Sequence, residues 1–439
     1  MTKLPLDKRD RRIWALAAPI MLSNITVPLL GLVDTGVMGH LPGPEYLGAV
    51  GLGTTVFNFL FWGFGFLRMG TTGLVAQAYG RGDREGLRAL LLQAGVLGLI
   101  LALSLLLLSP LIEWLMLYLM DGSEQVLALL GEYFRIRIWA APATLMTYVL
   151  IGWFVGMQNT RATLAVMVLA NSVNIVLDFL FVVGLGWKIE GVAAASVVAQ
   201  YAGVGLGLVL TRGLLRRAHA QGGWPWQALV DWPAIGKLLA INGDIMIRTL
   251  SLLFAFAFFS RQSAVLGDDV LAANTVLLNF IMLMAFALDA FAHAGEALVG
   301  RMLGAEDRDG LHWTFWRTGA WSGVFALAFA LVYAVGGGWL IDTLTSIEGV
   351  RGMARVYLPW LVVAPLLSVW SYWLDGVYIG ATRSRDMRNT MLLSLAIFLG
   401  LWWVSQPLAN HGLWLAFMVF MVARAVSMGW VLWRRPLMA

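Results

Sequence analysis

The chain has 439 residues, of which 60% are apolar and only 13% are charged, and its mean hydropathy is +0.78. Because soluble globular domains carry about 25% charged residues, this composition excludes a water-soluble protein. The formal net charge of +5 does not indicate a nucleic-acid partner, since the positive charges lie between apolar stretches, and the lack of cysteine excludes disulfides and thiolate metal sites.

Apolar stretches long enough to cross a bilayer recur from Trp14 to Trp433. A spanning helix needs about 20 predominantly apolar residues, and a bilayer requires that backbone polar groups be satisfied within each span. The first stretch is too long for a signal-peptide core, so we expect an uncleaved span. We predict an all-α polytopic membrane protein of about twelve transmembrane helices. The predicted spans lie near residues 12–40, 45–79, 84–118, 125–157, 161–184, 190–215, 233–262, 268–303, 309–334, 350–380, 387–406 and 410–433.

Positive charges are distributed unequally between alternate loops. With the N-terminus placed inside, 21 Lys and Arg residues fall in inside segments, six in outside segments and three within spans. Cytoplasmic loops carry the excess of Lys and Arg in membrane proteins. We therefore expect a multi-pass protein of the plasma (inner) membrane with both termini in the cytoplasm.

Short motifs repeat between the two halves at offsets of 221 to 224 residues. The pairs are Asn58-Phe59 with Asn279-Phe280, residues 80–83 with 304–307, Ala141-Pro142 with Ala364-Pro365, and residues 156–161 with 380–385. A duplicated six-helix unit keeps the same orientation in both copies, so we expect two lobes related by a pseudo-two-fold axis along the membrane normal. The predicted N-lobe is 1–217 (spans 1–6), the cytoplasmic linker 218–232, and the C-lobe 233–439 (spans 7–12).

Polar residues at membrane depth predict a pocket in the N-lobe. A charge within a span costs about 2.5 to 3.5 kcal/mol near the bilayer centre, so such residues are the first candidates for function. Asp34 and Asp178 lie six residues before the outer ends of spans 1 and 5, and Ser196 lies six after the outer start of span 6. At about 1.5 Å per residue these three share one depth. Asn174 lies one turn before Asp178, on the same helix face.

This pocket fits two kinds of coupling ion. Two carboxylates close together in a low dielectric do not both ionise easily, which suits a proton carrier. The oxygens of Asp34, Asn174 and Asp178 equally suit a hard cation such as Na⁺. Alternatively, the groups only hydrogen-bond the spans together. Pro19 and Pro28 permit a kink in span 1. Either protonation of Asp34 biases a straight against a bent helix, or the kinks are only structural.

A second set of charged residues lies in the C-lobe. Arg248 and Asp289 fall fourteen or fifteen residues from the inner face and are candidates for a mid-membrane ion pair. Asp244 competes for Arg248 because it lies one turn away. Glu296 and Asp375 lie nearer the cytoplasmic end, where snorkelling or a loop contact is the alternative. A pair that holds the C-lobe together is favoured over a transport site.

Motifs for ATP use or hydrolysis are absent from the sequence. No Gly-x-x-x-x-Gly-Lys-Ser/Thr run occurs, so the chain has no P-loop of its own. Five scattered histidines form no His-Glu-x-x-His motif, which leaves a zinc hydrolase unsupported. We expect no enzyme, no cofactor, and transport driven by an ion gradient.

Several polar runs inside the spans are similar to those of a known family. They are Leu32-Val33-Asp34, Val75 through Gly80, Asn174 through Asp178, Gly191 through Ala194, Asp289 through Gly300, and Leu374 through Arg383. They resemble the multidrug and toxic compound extrusion (MATE) transporters, in their DinF-type branch. The resemblance implies a two-lobe antiporter that opens alternately to each side, with Asp34, Asn174 and Asp178 as the cation site and Pro19 as the hinge. Ser196 stands where relatives often carry threonine.

We therefore expect a secondary active antiporter, monomeric, that exports organic and often cationic or amphipathic drugs and toxins in exchange for H⁺. A Na⁺-coupled drug antiporter is the close alternative. A flippase for lipids or lipid-linked precursors is a second class, which would need a strongly basic cavity for phosphate headgroups. Only three arginines lie within spans, namely Arg68, Arg248 and Arg424, and no partner is predicted for Arg68.

Overall fold

The computed structural model describes residues 9–38, 43–120, 122–217 and 223–438. Side chains are described for all of these except residues 25–35, 37, 38 and 44. Within this part of the chain the secondary structure is helical, and no β-strand is present. The predicted all-α class is therefore confirmed.

Fourteen α-helices follow one another in the described residues. They are α1 Asp10–Met38, α2 Pro44–Gly63, α3 Phe66–Arg81, α4 Arg84–Leu119, α5 Glu124–Arg137, α6 Ala141–Gly156, α7 Thr160–Asp178, α8 Ile189–Arg217, α9 Trp232–Val265, α10 Asp268–Gly304, α11 Arg308–Leu344, α12 Glu348–Gly380, α13 Ser384–Ser405 and α14 Ala409–Arg434.

The helices group into membrane segments as the hydropathy predicts. Ten stretches with described side chains are long and apolar enough to cross a membrane. In two of them a short break joins two helices, α2 with α3 and α5 with α6, and the last, Ser384–Arg434, contains both α13 and α14. The chain is thus a multi-pass membrane protein.

Residue contacts divide the chain into two compact units. The first unit is Ala18–Leu239, and the second unit is Met1–Ala17 together with Ala240–Ala439. The predicted lobes, 1–217 and 233–439, differ from these units at the base of α1 and at the linker. Each difference has a local cause.

The linker packs on helix α4 of the first unit. Trp226–Val230 forms a 3-10 turn, and Gln93 of α4 donates from Nε2 to the carbonyl oxygen of Ala228 over 2.8 Å. Arg88 donates from Nη1 to the carbonyl oxygen of Gly223, also over 2.8 Å. These two bonds explain why the described linker residues group with the first half of the chain.

The first two turns of α1 pack within the second unit. Asp10 is 0% exposed, and its carboxylate accepts from Arg317 Nε at 2.7 Å and Nη2 at 2.6 Å, and from Trp321 Nε1 at 3.1 Å. The ring of Trp14 meets those of Phe291 and Trp321 edge to face, with centroids 5.5 and 5.1 Å apart. Because a buried carboxylate is stable only when it is paired and hydrogen-bonded, this contact assigns the base of α1 to the second unit.

In the first unit, two glycines on α6 allow a close approach to α3. A Cβ atom on Gly152 would lie 2.4 Å from the carbonyl oxygen of Arg68, and one on Gly156 would lie 2.7 Å from Cβ of Val75. Small residues four positions apart let two spanning helices bring their backbones together. This crossing holds α3 against α6.

The second unit repeats this crossing between α12 and α10. A Cβ atom on Gly376 would lie 2.3 Å from the carbonyl oxygen of Ala292, and one on Gly380 would lie 2.5 Å from that of Glu296. The glycines of the two units are separated by 224 residues in each case, 152 to 376 and 156 to 380. The internal repeat therefore includes the backbone contact at which the two helices of each unit meet.

We expect Gly376→Ala to destabilise the protein by about 1 to 3 kcal/mol, since the added methyl group overpacks a backbone contact. The control is Gly336→Ala in α11, where an added Cβ meets nothing within 4 Å and helix propensity favours alanine by up to about 1 kcal/mol. Thermal unfolding in detergent, followed by circular dichroism, measures both. Equal unfolding midpoints for the two variants would contradict the close approach of α12 to α10 at Gly376.

We expect Asp10→Asn to cost about 3 to 5 kcal/mol, because it leaves the mostly buried guanidinium of Arg317 without its counter-charge. The matched control is Asp342→Asn, which removes the charge from partly exposed pairs with Arg355 and Arg351 and should cost about 1 kcal/mol or less. Unfolding by titration with SDS gives the two free-energy differences. Equal losses in the two variants would show that the burial of Asp10 adds nothing to the stability provided by its ion pair.

Candidate cation site

Three of the four residues predicted for the N-lobe pocket meet in the first unit. Asn174 and Asp178 lie on α7 and Ser196 lies on α8, and all three side chains are buried. Asn174 donates from Nδ2 to Asp178 Oδ2 at 3.2 Å and lies 3.5 Å from Ser196 Oγ. The i, i+4 spacing on α7 places the amide beside the carboxylate, and the packing of α8 against α7 adds the hydroxyl.

Asp178 lies where the helix changes form. It is the last residue of α7, and the chain continues as a π-helix over Phe179–Gly184. Such π segments are rare and occur frequently at functional sites, because they interrupt the regular hydrogen-bond ladder. Residues 179–184 read only as apolar, so no sequence signal predicts this feature.

The fourth predicted residue, Asp34, belongs to α1, but its side chain lies outside the described residues, as does that of Pro28. Its meeting with Asp178 stays a prediction. Pro19, the predicted hinge, lies within the described part, and α1 continues as a helix through it.

The second unit contains a buried cluster of two arginines and one aspartate. Asp375 of α12 accepts through Oδ2 from Arg424 Nη2 of α14 at 2.6 Å and from Arg248 Nη2 of α9. The three residues are 5%, 1% and 6% exposed, respectively. The partner of Arg248 is thus Asp375, where the sequence favoured Asp289, and Asp375 does not snorkel to the surface. The cluster carries one net positive charge, from two guanidiniums and one carboxylate.

Two other residues of the predicted C-lobe network, Asp244 and Glu296, have neighbours outside this cluster. Asp244 accepts from Arg388 Nη1 at 2.7 Å and from Ser384 Oγ at 2.9 Å, so it does not compete for Arg248. Glu296 is buried on α10, with Oε1 4.0 Å from His293 Nε2. Asp289, on the same helix, is half-buried.

The arginine–aspartate cluster makes cation binding at Asp375 unfavourable. Both guanidiniums already bond to Asp375 through one oxygen, and an added cation would have to displace one of them and face the repulsion of both. Sequence reasoning missed Arg424 as a partner, although a lone arginine within an apolar span is a signal that a buried carboxylate lies near it.

A neutral network in the second unit was also missed. The side-chain amides of Asn274 and Asn410 bond to each other at 2.7 and 3.0 Å, and Ser263 Oγ and Trp414 Nε1 complete the set at 2.7 and 2.9 Å. All four side chains are buried. Because these buried polar groups satisfy one another's hydrogen-bonding needs, the network stabilises the packing of α9, α10 and α14.

We expect Asp375→Asn to destabilise the protein by about 3 to 5 kcal/mol, since two buried guanidiniums then face each other without a counter-charge. Arg248→Met should cost clearly less, because it leaves a neutral pair between Asp375 and Arg424. The unfolding midpoints of the two variants in detergent test this order. A larger loss in Arg248→Met would show that the cluster's charge balance does not control its stability.

Comparisons with known proteins agree with this architecture. A sequence model of the MatE family matches the chain twice, at residues 19–180 and 245–404, once in each half. The chain is 43% identical over 434 residues to DNA damage-inducible protein F of Escherichia coli K12, covering 98% of this chain and 93% of that protein. It is 26% identical to multidrug resistance protein PmpM of Pseudomonas aeruginosa, covering 95% and 90% of the two chains.

Among solved structures, the MATE transporter VcmN of Vibrio cholerae in its bent form matches with a TM-score of 0.85. The two chains are 22% identical, and the match covers 97% of this chain and 96% of that one, so the likeness shows the fold. The double family match and the full-length relative confirm the transporter class and exclude an enzyme. The chain belongs to the MatE family of multidrug efflux transporters.

Proposed function

We propose that the protein is a secondary active antiporter that exports organic, often cationic or amphipathic, compounds in exchange for protons, with Asp34 and Asp178 as the proton carriers. The buried hydrogen bond from Asn174 to Asp178, with Ser196 on the other side of the same amide, carries the proposal. Asn174 and Ser196 are neutral, so they add no charge to the site.

The contrast with Asp375 supports the choice of Asp178. A proton that binds Asp375 would have to compete with two guanidiniums already bonded to it. At Asp178, the amide of Asn174 donates a neutral hydrogen bond, which weakens but need not break when the carboxylate is protonated. This difference supports Asp178 rather than Asp375 as the proton carrier.

Binding of a proton at this site would have a mechanical consequence through α1. Loss of charge at Asp34 removes the need for polar partners around it, and Pro19 provides a weak point in the same helix because it lacks a backbone N–H. We propose that the protonated state favours one form of α1 and the ionised state another, so that substrate and proton use the same cavity in turn.

Coupling to Na⁺ is the second candidate, and one observation favours it. The carboxylate of Asp178 and the hydroxyl of Ser196 both lie within 3.5 Å of the Asn174 side-chain nitrogen, so two oxygen ligands for a hard cation are close together. The Asn174 amide would have to turn its oxygen toward them to add a third.

The proposed orientation rests on the distribution of charge. The excess of Lys and Arg in alternate loops, 21 against six, supports an inner-membrane protein with both termini in the cytoplasm.

We expect Asp178→Asn and Asp34→Asn to abolish substrate-evoked proton movement across liposomes, since neither amide can carry a proton at neutral pH. Ser196→Ala should weaken ion binding by about five-fold, the effect of one hydrogen bond worth about 1 kcal/mol. Asp342→Asn, at an exposed pair, is the control and should transport normally. A pH-sensitive dye inside the vesicles reports the proton flux.

Repeating the measurement with and without Na⁺ separates the two coupling ions. Substrate movement that requires Na⁺ and leaves the internal pH unchanged would replace the proton by Na⁺. Normal proton flux in Asp178→Asn would overturn the assignment of the site.

A further inference from the structure

A groove on the first unit lies outside the candidate cation site. It has a volume of about 340 Å³ and runs between α4, α6 and α8, with the linker at one end. Its lining is almost entirely apolar and includes Leu91 and Leu99 on α4, Leu150 on α6 and Leu208 on α8. Leu91 and Leu99 are eight residues apart, so the groove extends about 12 Å along α4, most of the roughly 15 Å depth of one bilayer leaflet.

The end wall of the groove is built by the linker. Trp224 and Trp226 both line it, and the backbone N–H of Trp226 donates to the carbonyl oxygen of Trp224 at 2.9 Å, which closes a tight turn. The hydrogen bonds from Arg88 and Gln93 of α4 hold this turn on either side. The wall is therefore a fixed part of the first unit, and tryptophan is the residue type that membrane interfaces favour.

The charge at this end of the groove is positive. Arg212 of α8 lines the groove and is exposed, and Arg216 lies one turn further on the same helix face. No acidic residue lines the groove. The acidic residues near the linker, Asp83, Glu85 and Asp231, line an adjacent cavity on the other side of Trp224 and Trp226, together with Arg88. Within the described residues neither arginine has an ion pair, and an apolar slot that ends at two such guanidiniums fits a molecule with an acyl chain and an anionic head.

The geometry points to a binding site for an anionic phospholipid, with one acyl chain in the groove and its phosphate at Arg212 and Arg216. Lipid tails are as apolar as the leucines that line the groove, so the groove alone does not choose among lipids. The choice comes from the headgroup, because each arginine near the surface attracts an anionic lipid. The lipid site does not depend on which ion is coupled to transport. Its place in the cytoplasmic leaflet rests on the proposed orientation of the chain.

A bound lipid would act on the linker. The turn at Trp224 and Trp226 forms the wall against which the lipid packs, so an occupied groove would hold the linker on α4 and α8 more firmly than an empty one. The segment that joins the two repeats would then respond to the lipid composition of the membrane.

The absence of cysteine allows a direct test, since one introduced thiol can be labelled alone. Leu99→Cys places a fluorophore at the rim of the groove, where the native side chain is 46% exposed. The full chain is placed in nanodiscs of phosphatidylglycerol and phosphatidylcholine in equal amounts, with either lipid brominated as the quencher. We expect brominated phosphatidylglycerol to quench more strongly, and Arg212→Gln to lower this preference about five-fold.

Two matched controls come from α13. Leu393→Cys, at a side chain 54% exposed, should be quenched equally by both lipids, and Arg385→Gln should leave the preference at Leu99→Cys unchanged. Equal quenching at Leu99→Cys, or a preference that survives Arg212→Gln, would overturn the lipid site. Displacement of the quencher by a transported organic cation, and not by phosphatidylglycerol, would assign the groove to substrate instead.

Discussion

The cost of holding a charge away from water decides where polar side chains can lie in this protein. A bilayer offers no water to a buried ion, so each such group needs a partner, a cavity or a task. Asp10, Asp375 and Arg424 meet this requirement with ion pairs among buried residues. Asp178 instead accepts from the neutral amide of Asn174. The first arrangement holds helices together by charge, and the second is the one for which we propose ion exchange.

The two repeats show how this division follows duplication. Both units keep the same backbone crossing, at Gly152 and Gly156 in one and at Gly376 and Gly380 in the other, because no larger residue fits there. The polar residues are different in each unit and lie at different places. Asp375 directly precedes Gly376 of the crossing and is held by two arginines, whereas Asp178 lies at the far end of the next helix, α7, which continues into a π turn. A shared scaffold therefore carries a structural ion cluster in one unit and the candidate cation site in the other.

Hydropathy and local spacing predicted the parts that depend on a single helix. The spans follow from the length of each apolar run, and the contact of Asn174 with Asp178 follows from their separation of one turn. The cluster around Asp375 could not be predicted in this way, because Arg248 and Arg424 come from two other helices and their meeting with Asp375 depends on packing. The assignment of the α1 base to the second unit has the same cause. The π turn after Asp178 depends on the fit between neighbouring helices, which an apolar sequence does not record.

The contact between Asp10 and Arg317 also bears on how the protein is made. The two residues are 307 positions apart, so α1 carries a carboxylate whose partner is synthesised much later, in α11. At a synthesis rate of about 5 to 20 residues per second, that wait is roughly 15 to 60 seconds. During this time the base of α1 must remain near the membrane surface, where water can solvate Asp10. Docking of the base of α1 against α11 is thus a late step in the assembly of the protein.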